Sequence, residues 1–577
     1  MQVDSNMRLH TSFISQEGTY SSTFFPSLLP LYGYYDKFKI TVPSWPLPAF
    51  ATHVEQFPAE LIDKIQAFCS HKDLLALTSV DKTALATRFC NPPLQKLCFK
   101  TVKNTEQFLA YCQALQEKKT EELILEEGQK SRKRLRSALS SDPTLHFISF
   151  TREHLQAIKA LTLTISEHFT AEQYDLLFTY LSGIQHLTVH FDKESYDILS
   201  PLFKAVQRLT LHHLAIIYPG HYKTISRIED HLPDELWQFT ALETLKISGF
   251  QHISSISEKI GQLNALKSLT LQNIRSLKAL PTSLGRLNKL EALTLENLRF
   301  ITALPEEMGQ LNALKSLTLE NMVLLRTLPA SLGRLVKLEV LNLENLVNIT
   351  ALPEAIGQLR ALKSLTLYAS LNVLPASLWQ LNKLEALKLI DLDISILPEE
   401  MGQLNALKSL ELSHLRKLKA LPASLGQLNK LEVLTLAWLD NITTFPEAIG
   451  QLNALKSLEL RGLRKLDALP ASLWRLNKLE ALTLQGMRSI TALPEEMGQL
   501  NALKSLKLEN MYKLNALPVS LGQLNKLEAL TLQGMHSITA LPEEMGQLNA
   551  LKIIKLINMG KLGTLPRRLA QIVVERP

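Results

Sequence analysis

Three glutamates, Glu296, Glu320 and Glu344, recur 24 residues apart, and Tyr368 and Ile390 follow at the same station of the next two intervals. A series of carboxylates ending on an apolar pair suits a target with a basic stretch and an apolar anchor. Arg461 lies further along the same series and Trp438 one residue past the strand of a nearby unit, and aromatic and guanidinium groups are favoured where binding energy concentrates. The residue types that carry catalysis are less suggestively arranged. His186 and His190 share a strand face, but four residues at about 3.3 Å each separate them by about 13 Å, too far to chelate one ion. The four cysteines, Cys69, Cys90, Cys98 and Cys112, lie in the first fifth of the chain and form no Cys-x-x-Cys. There is no phosphate loop and no GxGxxG opening a helix. Lys130, Arg132, Lys133, Arg134 and Arg136 follow the acidic Glu121, Glu122, Glu126 and Glu127. That run reads as a solvated loop before it reads as a nucleic-acid contact. No catalytic residue, metal site or cofactor is expected.

The elements that position these groups repeat about every 24 residues from Pro233 to Pro566. A typical unit, Leu304 to Met322, reads LPEEMGQLNALKSLTLENM. A fixed period of 20–29 residues with an LxxLxL core is the signature of a leucine-rich-repeat solenoid. Alternation puts Leu317 and Leu319 inside and Ser316, Thr318 and Glu320 outside. Pro305 forces its predecessor to be extended, and Glu306–Gly309 is too short for more than about a turn of helix. One unit cannot bury its leucine face; stacked units can. The expected fold is α/β, a solenoid with a parallel concave sheet, one strand per unit. The pattern resembles the leucine-rich repeats of plant-type resistance proteins. That family's inner Asn or Cys is replaced by Leu298, Met322, Leu346 and Met511, which predicts a turn closed by apolar packing and not by an Asn ladder.

A second period of about 48 residues is superposed. Units beginning Pro-Glu-Glu or Pro-Glu-Ala alternate with units beginning Pro-Ala-Ser, and one strand position alternates Lys267, Glu291, Lys315, Glu339, Lys363 and onward to Lys552. Alternating signs attract across neighbouring strands, so the ladder reads as structural. The unit shortens to 22 residues from Pro353 to Pro375 and to 23 from Pro375 to Pro398. An irregularity in a regular solenoid changes local curvature and is where function tends to sit. Leu479–Lys504 and Leu527–Lys552 differ only at Arg488 versus His536, which disfavours a unique catalytic residue there.

Composition agrees with an intracellular protein. The chain has 577 residues, 46% hydrophobic, with formal charge +7. No apolar run reaches the roughly 18 residues that span a bilayer. The N-terminus lacks a basic-then-apolar secretory pattern. With no cysteine at the C-terminal end, reduced thiols in the cytoplasm are the simpler reading. Residues 1–56 read as a flexible arm, 57–92 as a helical unit, 93–232 as degenerate repeats, 233–566 as regular repeats and 567–577 as a C-terminal cap. Strand candidates in the degenerate region lie near Leu97, Leu123, Leu161, Leu187 and Leu209, for about 19 strands in all.

The helical unit, Phe57 to Phe89, carries an apolar stripe of Leu61, Ile62, Ile65, Phe68 and Cys69, then Leu74, Leu75, Leu77 and Val80. It resembles an F-box, the adaptor-binding module of cullin–RING ubiquitin ligases. Phe57-Pro58, Glu60-Leu61, Ile65, Phe68, Lys72-Asp73-Leu74, Leu77 and Val80 carry the resemblance. It implies that Pro58, Leu61, Ile65, Phe68, Leu74, Leu77 and Val80 meet a Skp-type adaptor. Asp81–Leu85 stands where the family commonly has an Arg-Trp pair. Such a chain would be a non-enzymatic substrate adaptor, recruiting a ubiquitin ligase while the repeats hold a target. The alternative is a scaffold or sensor in which the helical unit only caps the first repeat. Near-identical repeats beside an F-box also resemble effectors that intracellular bacteria deliver into the host cytoplasm. Bacterial leucine-rich-repeat ligases place a catalytic cysteine after the repeats; no cysteine follows Cys112 here.

Overall fold

The computed structural model describes residues 96–98, 156, 158–165, 170–191, 199–218, 231–571 and 573–575. The arm, the helical unit with its adaptor-binding residues Pro58 to Val80, the basic run and the strand candidate near Leu123 lie outside the described residues. The chain divides into two units, Met1–Ile225 and Ser226–Pro577.

In the first unit the strands β1 (Lys96–Cys98), β2 (Ala160–Ile165), β3 (His186–Phe191) and β4 (His213–Ile217) pair in parallel in chain order. Leu161 pairs with Leu187 and Leu187 with Leu214. These longer repeats have room for true helices, α1 (Ala171–Tyr180) and α2 (Leu199–Val206). A capping box starts α1: Gln173 N–H donates to Thr170 Oγ1 at 3.3 Å, and Thr170 N–H to Gln173 Oε1 at 2.8 Å. Its Tyr174, Leu177 and Phe178 are buried. The last strand differs from the expectation near Leu209. Leu209 and Leu211 are buried in the turn that follows α2, and Leu214 is the residue that pairs with Leu187.

The second unit holds fifteen strands among its described residues. They are β5 (Thr244–Ser248), β6 (Ser268–Gln272), β7 (Ala292–Glu296), β8 (Ser316–Glu320), β9 (Val340–Leu346), β10 (Ser364–Ala369), β11 (Ala386–Ile390), β12 (Ser409–Ser413), β13 (Val433–Ala437), β14 (Ser457–Arg461), β15 (Ala481–Gln485), β16 (Ser505–Glu509), β17 (Ala529–Gln533), β18 (Ile553–Ile557) and β19 (Val573–Glu575). All are parallel, each beside its sequence neighbours. The last adds a strand within the segment read as a cap, Ile553 pairing with Val573. Leu317 and Leu319 are fully buried, as are their equivalents along the stack. Opposite the sheet, each unit makes a five-residue 3-10 turn after its proline, such as Glu306–Gln310. Even a 3-10 turn is wider than the spacing of about 4.8 Å between strands, so the sheet is the concave side.

The 48-residue period has two physical causes. In the ladder, each lysine donates to the glutamate of the unit before it: Lys315 to Glu291 at 2.8 Å, Lys363 to Glu339 at 2.7 Å, Lys504 to Glu480 at 2.8 Å. The bond to Lys315, with the Lys267 charge on the other side, holds the Glu291 carboxyl below its ordinary pKa. The second cause was not read from the sequence. The Pro-Glu glutamate caps the 3-10 turn of the next unit, whose first N–H groups have no partner inside the turn. Ala330 and Ser331 N–H donate to Glu306 at 3.1 and 2.9 Å, and Ser331 Oγ donates to Glu306 O at 2.6 Å. Glu399 caps Ala423 and Ser424, and Glu495 caps Val519 and Ser520, in the same way. Pro-Ala-Ser units receive this cap, and Pro-Glu units supply it.

The turns also explain a glycine. A Cβ added at Gly285, Gly333 or Gly522 would run into the carbonyl oxygen of the next unit, at Glu307, Ala355 and Glu544 respectively. Trp379 and Trp474 stand at this glycine position and are buried. The prolines of the units that follow them shift to φ −79°, ψ 160° (Pro398) and φ −78°, ψ 157° (Pro494), against φ −68°, ψ 142° at Pro305. The indoles therefore act as wedges between consecutive turns. The prediction is a contrast between two glycines. Gly522→Ala should lower stability by about 1–3 kcal/mol. Gly546→Ala, where the nearest atom to the new Cβ is 3.8 Å away, should stay within about 0.5 kcal/mol of the parent. Urea midpoints of the two variants measure it, and equal losses would contradict the close-approach argument.

Candidate functional site

Strand register brings Glu296, Glu320 and Glu344 into one column on β7, β8 and β9. All three are half-buried on the outer face of the sheet. Among the described residues none has a cationic partner within ion-pair distance. Their contacts are amides: Gln272 Nε2 donates to Glu296 at 2.7 Å, Asn297 Nδ2 to Glu296 at 3.1 Å and Asn321 Nδ2 to Glu320 at 3.2 Å. Burial, then the charges of Glu296 and Glu344, push the Glu320 carboxyl above its ordinary value. Stacked like charges are kept here, whereas the lysine–glutamate ladder avoids them.

At the end of most strands of the second unit one residue turns the chain with positive φ. Asn273, Asn297, Asn321 and Asn345 do so at 57°, 56°, 55° and 52°. Their side chains bond in pairs, Asn297 Nδ2 to Asn273 Oδ1 at 2.9 Å and Asn345 Nδ2 to Asn321 Oδ1 at 2.6 Å. This corrects the expectation of a turn without asparagine. Leu298, Met322, Leu346 and Met511 do fill the inner position, fully buried, but an amide ladder lies one residue earlier. The signal was present in the Glu-Asn-Leu and Glu-Asn-Met triplets, because Asn is among the few residues that adopt this backbone readily.

Tyr368 lies across from a bulge that contains Glu344. Leu367 pairs with Leu343, but Ala369 pairs with Leu346, so the register slips between β9 and β10. The shortened unit lacks the left-handed turn residue, and its strand runs on into Ala369. Tyr368 and Ile390 remain half-buried on the same outer face and start a new column that runs through Ser413 and Ala437 to Arg461. Val373 and Ile396, near the ends of the two shortened units, are 68% and 73% exposed. On the turn side of these units a polar cleft of about 470 Å³ opens beside Glu354, Arg360 and Gln380.

Trp438 sits at the left-handed position after β13, with φ +54°, and is 37% exposed. For an L side chain this backbone costs about 1–2 kcal/mol. Its indole stacks on His414 at 6.0 Å, and the Arg464 guanidinium lies 5.4 Å from its centroid. Arg461 is bonded to Glu459 on its own strand. In the first unit, His186 stacks on His213 at 4.0 Å, and burial lowers the pKa of His190. Among the described residues no group of three or more His, Cys, Asp or Glu could hold a metal, and no helix is long and apolar enough to cross a membrane.

A family model described as a leucine-rich repeat region matches residues 328–441. TLR13, solved as a complex with ssRNA13, is 22% identical, with 71% of this chain and 59% of that chain covered and a TM-score of 0.56. The fold is a leucine-rich-repeat solenoid. A leucine-rich-repeat protein of Leptospira interrogans is 28% identical over 63% of this chain and 95% of that one, with a TM-score of 0.49. An internalin of Listeria monocytogenes is 17% identical over 66% and 88%, with a TM-score of 0.37. No curated protein matches the chain.

The glutamate column of this leucine-rich-repeat sheet has a measurable cost. A carboxyl whose pKa is raised on folding binds its proton more tightly in the folded state. Its penalty is therefore present at neutral pH and relieved as pH falls through the folded value toward the ordinary 4.5. Glu320→Gln should stabilise the protein at pH 7, by about 0.5 kcal/mol or less after solvent screening. The gain should vanish by pH 4. Urea midpoints of variant and parent at both pH values measure it; destabilisation at pH 7 would show that the column is satisfied within the fold.

Proposed function

We propose that this chain is a protein-binding scaffold that holds its target on the concave sheet, the glutamate column taking a basic stretch and Tyr368 with Ile390 an apolar anchor. One observation carries the reading. The solenoid pairs opposite charges along its ladder, yet keeps Glu296, Glu320 and Glu344 stacked without a cation. Such a column is relieved when a cationic partner binds. Tyr368 and Ile390, on the two strands that follow, would offer an aromatic and an aliphatic anchor beyond the acidic strands.

Charge reversal should act on encounter and anchor removal on residence. Against a labelled lysine-rich peptide ending in leucine, Glu320→Lys with Glu344→Lys should slow association about tenfold and flatten its salt dependence. Tyr368→Ala should mainly speed dissociation. Stopped-flow fluorescence separates the two rates. Binding indifferent to all three substitutions would remove the concave column from the function.

A finer reading is that residues 57–92 recruit a Skp-type adaptor, making the scaffold the target-holding arm of a ubiquitin ligase in the cytoplasm. It is supported by the F-box resemblance at Pro58, Leu61, Ile65 and Leu74. Pro58→Ala with Leu61→Ala should abolish capture of a purified Skp-type adaptor while circular dichroism stays unchanged. Undiminished capture by the folded double variant would end the adaptor reading and leave the scaffold intact.

A further inference from the structure

The left-handed turn row runs the length of the second unit, and its occupants are Gly, Asn or Asp at almost every position. The row includes Gly249, Asn273, Asn297, Asn321, Asn345, Asp391, Gly462, Gly486, Asn510, Gly534 and Asn558. His414 and Trp438, in adjacent units, break that rule. A tryptophan gains nothing from this backbone that asparagine or glycine would not supply at lower cost. The next unit is adapted to it: a Cβ at Gly462 would collide with Trp438 Cε3, so the ring lies on the bare glycine backbone. His414, in the unit before, stacks on the indole at 6.0 Å between centroids, and its own Nδ1 is 2.8 Å from Ser413 Oγ. Held between two units, the indole in turn carries the Arg464 guanidinium.

Arg464 is exposed. Among the described residues no carboxylate lies within ion-pair distance of it. Arg416, Asp440, Arg464 and Arg488 occupy equivalent positions in consecutive units, and the three arginines are exposed. Asp440, the one acidic member of the row, is half-buried and makes no ion pair among the described residues. The result is a basic edge with one guanidinium fixed in orientation by a ring.

We propose that His414, Trp438, Gly462 and Arg464 form a second docking site, which takes a carboxylate-bearing segment of an acidic protein partner. A fixed guanidinium presents its paired N–H groups to a carboxylate without first losing side-chain freedom. Exposed Arg416 and Arg488 supply the surrounding positive field. A nucleic-acid strand is the weaker fit. Stacking of a base needs an open aromatic face, and the Trp438 ring is already in contact with His414, Gly462 and Arg464. The site does not depend on the glutamate column, whose charge is opposite.

The test uses the full chain at low salt, a fluorescein-labelled peptide of alternating Glu and Gly, and a labelled oligouridine of equal charge. Trp438→Asn changes no charge and installs the residue other units use. It should weaken peptide binding about fivefold, by freeing the guanidinium, with thermal stability equal or higher. Arg464→Gln should weaken it by roughly tenfold or more, while Arg360→Gln, an exposed arginine beside the turn-side cleft, should leave it within about twofold of the parent. Glu320→Lys with Glu344→Lys should not weaken it, which separates this site from the acidic column. Peptide binding unchanged in folded Trp438→Asn, or lost equally in Arg360→Gln, would reduce the site to diffuse charge and overturn the proposal. So would absence of peptide binding, or oligouridine binding tighter than the peptide and dependent on Trp438.

Discussion

No unit of this protein can keep its leucines dry alone. Leu317 and Leu319 are fully buried only because the units on either side roof them, and neighbouring strands must stand at about 4.8 Å for that roof to close. Every other feature follows from this spacing. It turns each sequence position into a column, so a residue suitable once is repeated against itself. A carbonyl of the next turn comes so close that glycine is needed at Gly285, Gly333 and Gly522. Like charges would face one another, so lysine alternates with glutamate. The first amides of each second turn would be orphaned, so the glutamate of the unit before reaches across to them. Two of these answers need units of two kinds, and the 48-residue period is their common expression.

Departures from the columns carry the information about binding. The ladder relieves charge, yet Glu296, Glu320 and Glu344 accumulate it, and the Glu320 carboxyl is pushed up by burial and by its two neighbours. The turn row asks for Gly or Asn, yet Trp438 occupies it. The strand row asks for constant register, yet the two-residue deletion after Leu367 slides Ala369 opposite Leu346. Each departure makes the isolated chain slightly worse as a stack. Trp379 and Trp474 differ in kind, since they are buried wedges that alter how successive turns meet and present nothing to solvent.

The regular units were legible because leucine alternation and proline spacing state strand, face and register together. The same alternation put the three glutamates in one outward column, and adjacent strands do pair them. Legibility failed where the decisive contact joins two units. The glutamate cap links residues 24 and 25 apart through backbone amides, which no side-chain pattern announces. The asparagine ladder was hidden by attention to the inner position one residue later. The bulge opposite Tyr368 was not legible, because a count of missing residues does not say where the strand absorbs them. In the first unit Leu209, Leu211 and Leu214 all suit a strand core, and only pairing with Leu187 selects the last. Trp438 was visible as an aromatic past its strand, but its contacts with His414, Gly462 and Arg464 lie in the two units on either side of its own.

A parallel stack also gives the concave face a direction. Its acidic column ends on β9, and Arg464 of the proposed second site follows β14, five strand steps away. At about 4.8 Å per step the separation is about 24 Å, which about seven extended residues can bridge. A target segment with a basic end and an acidic end at that separation would meet both sites in one orientation only. The reversed orientation sets like charge against like at both ends. Joining two modest contacts through one chain raises the effective concentration of the second, so neither site needs high affinity by itself. The apolar residues Tyr368 and Ile390 lie between the two charged sites on this line, where an anchor would fix register after charge has fixed direction. In the proposed binding mode, sign would select the orientation of the target, and the apolar pair its position.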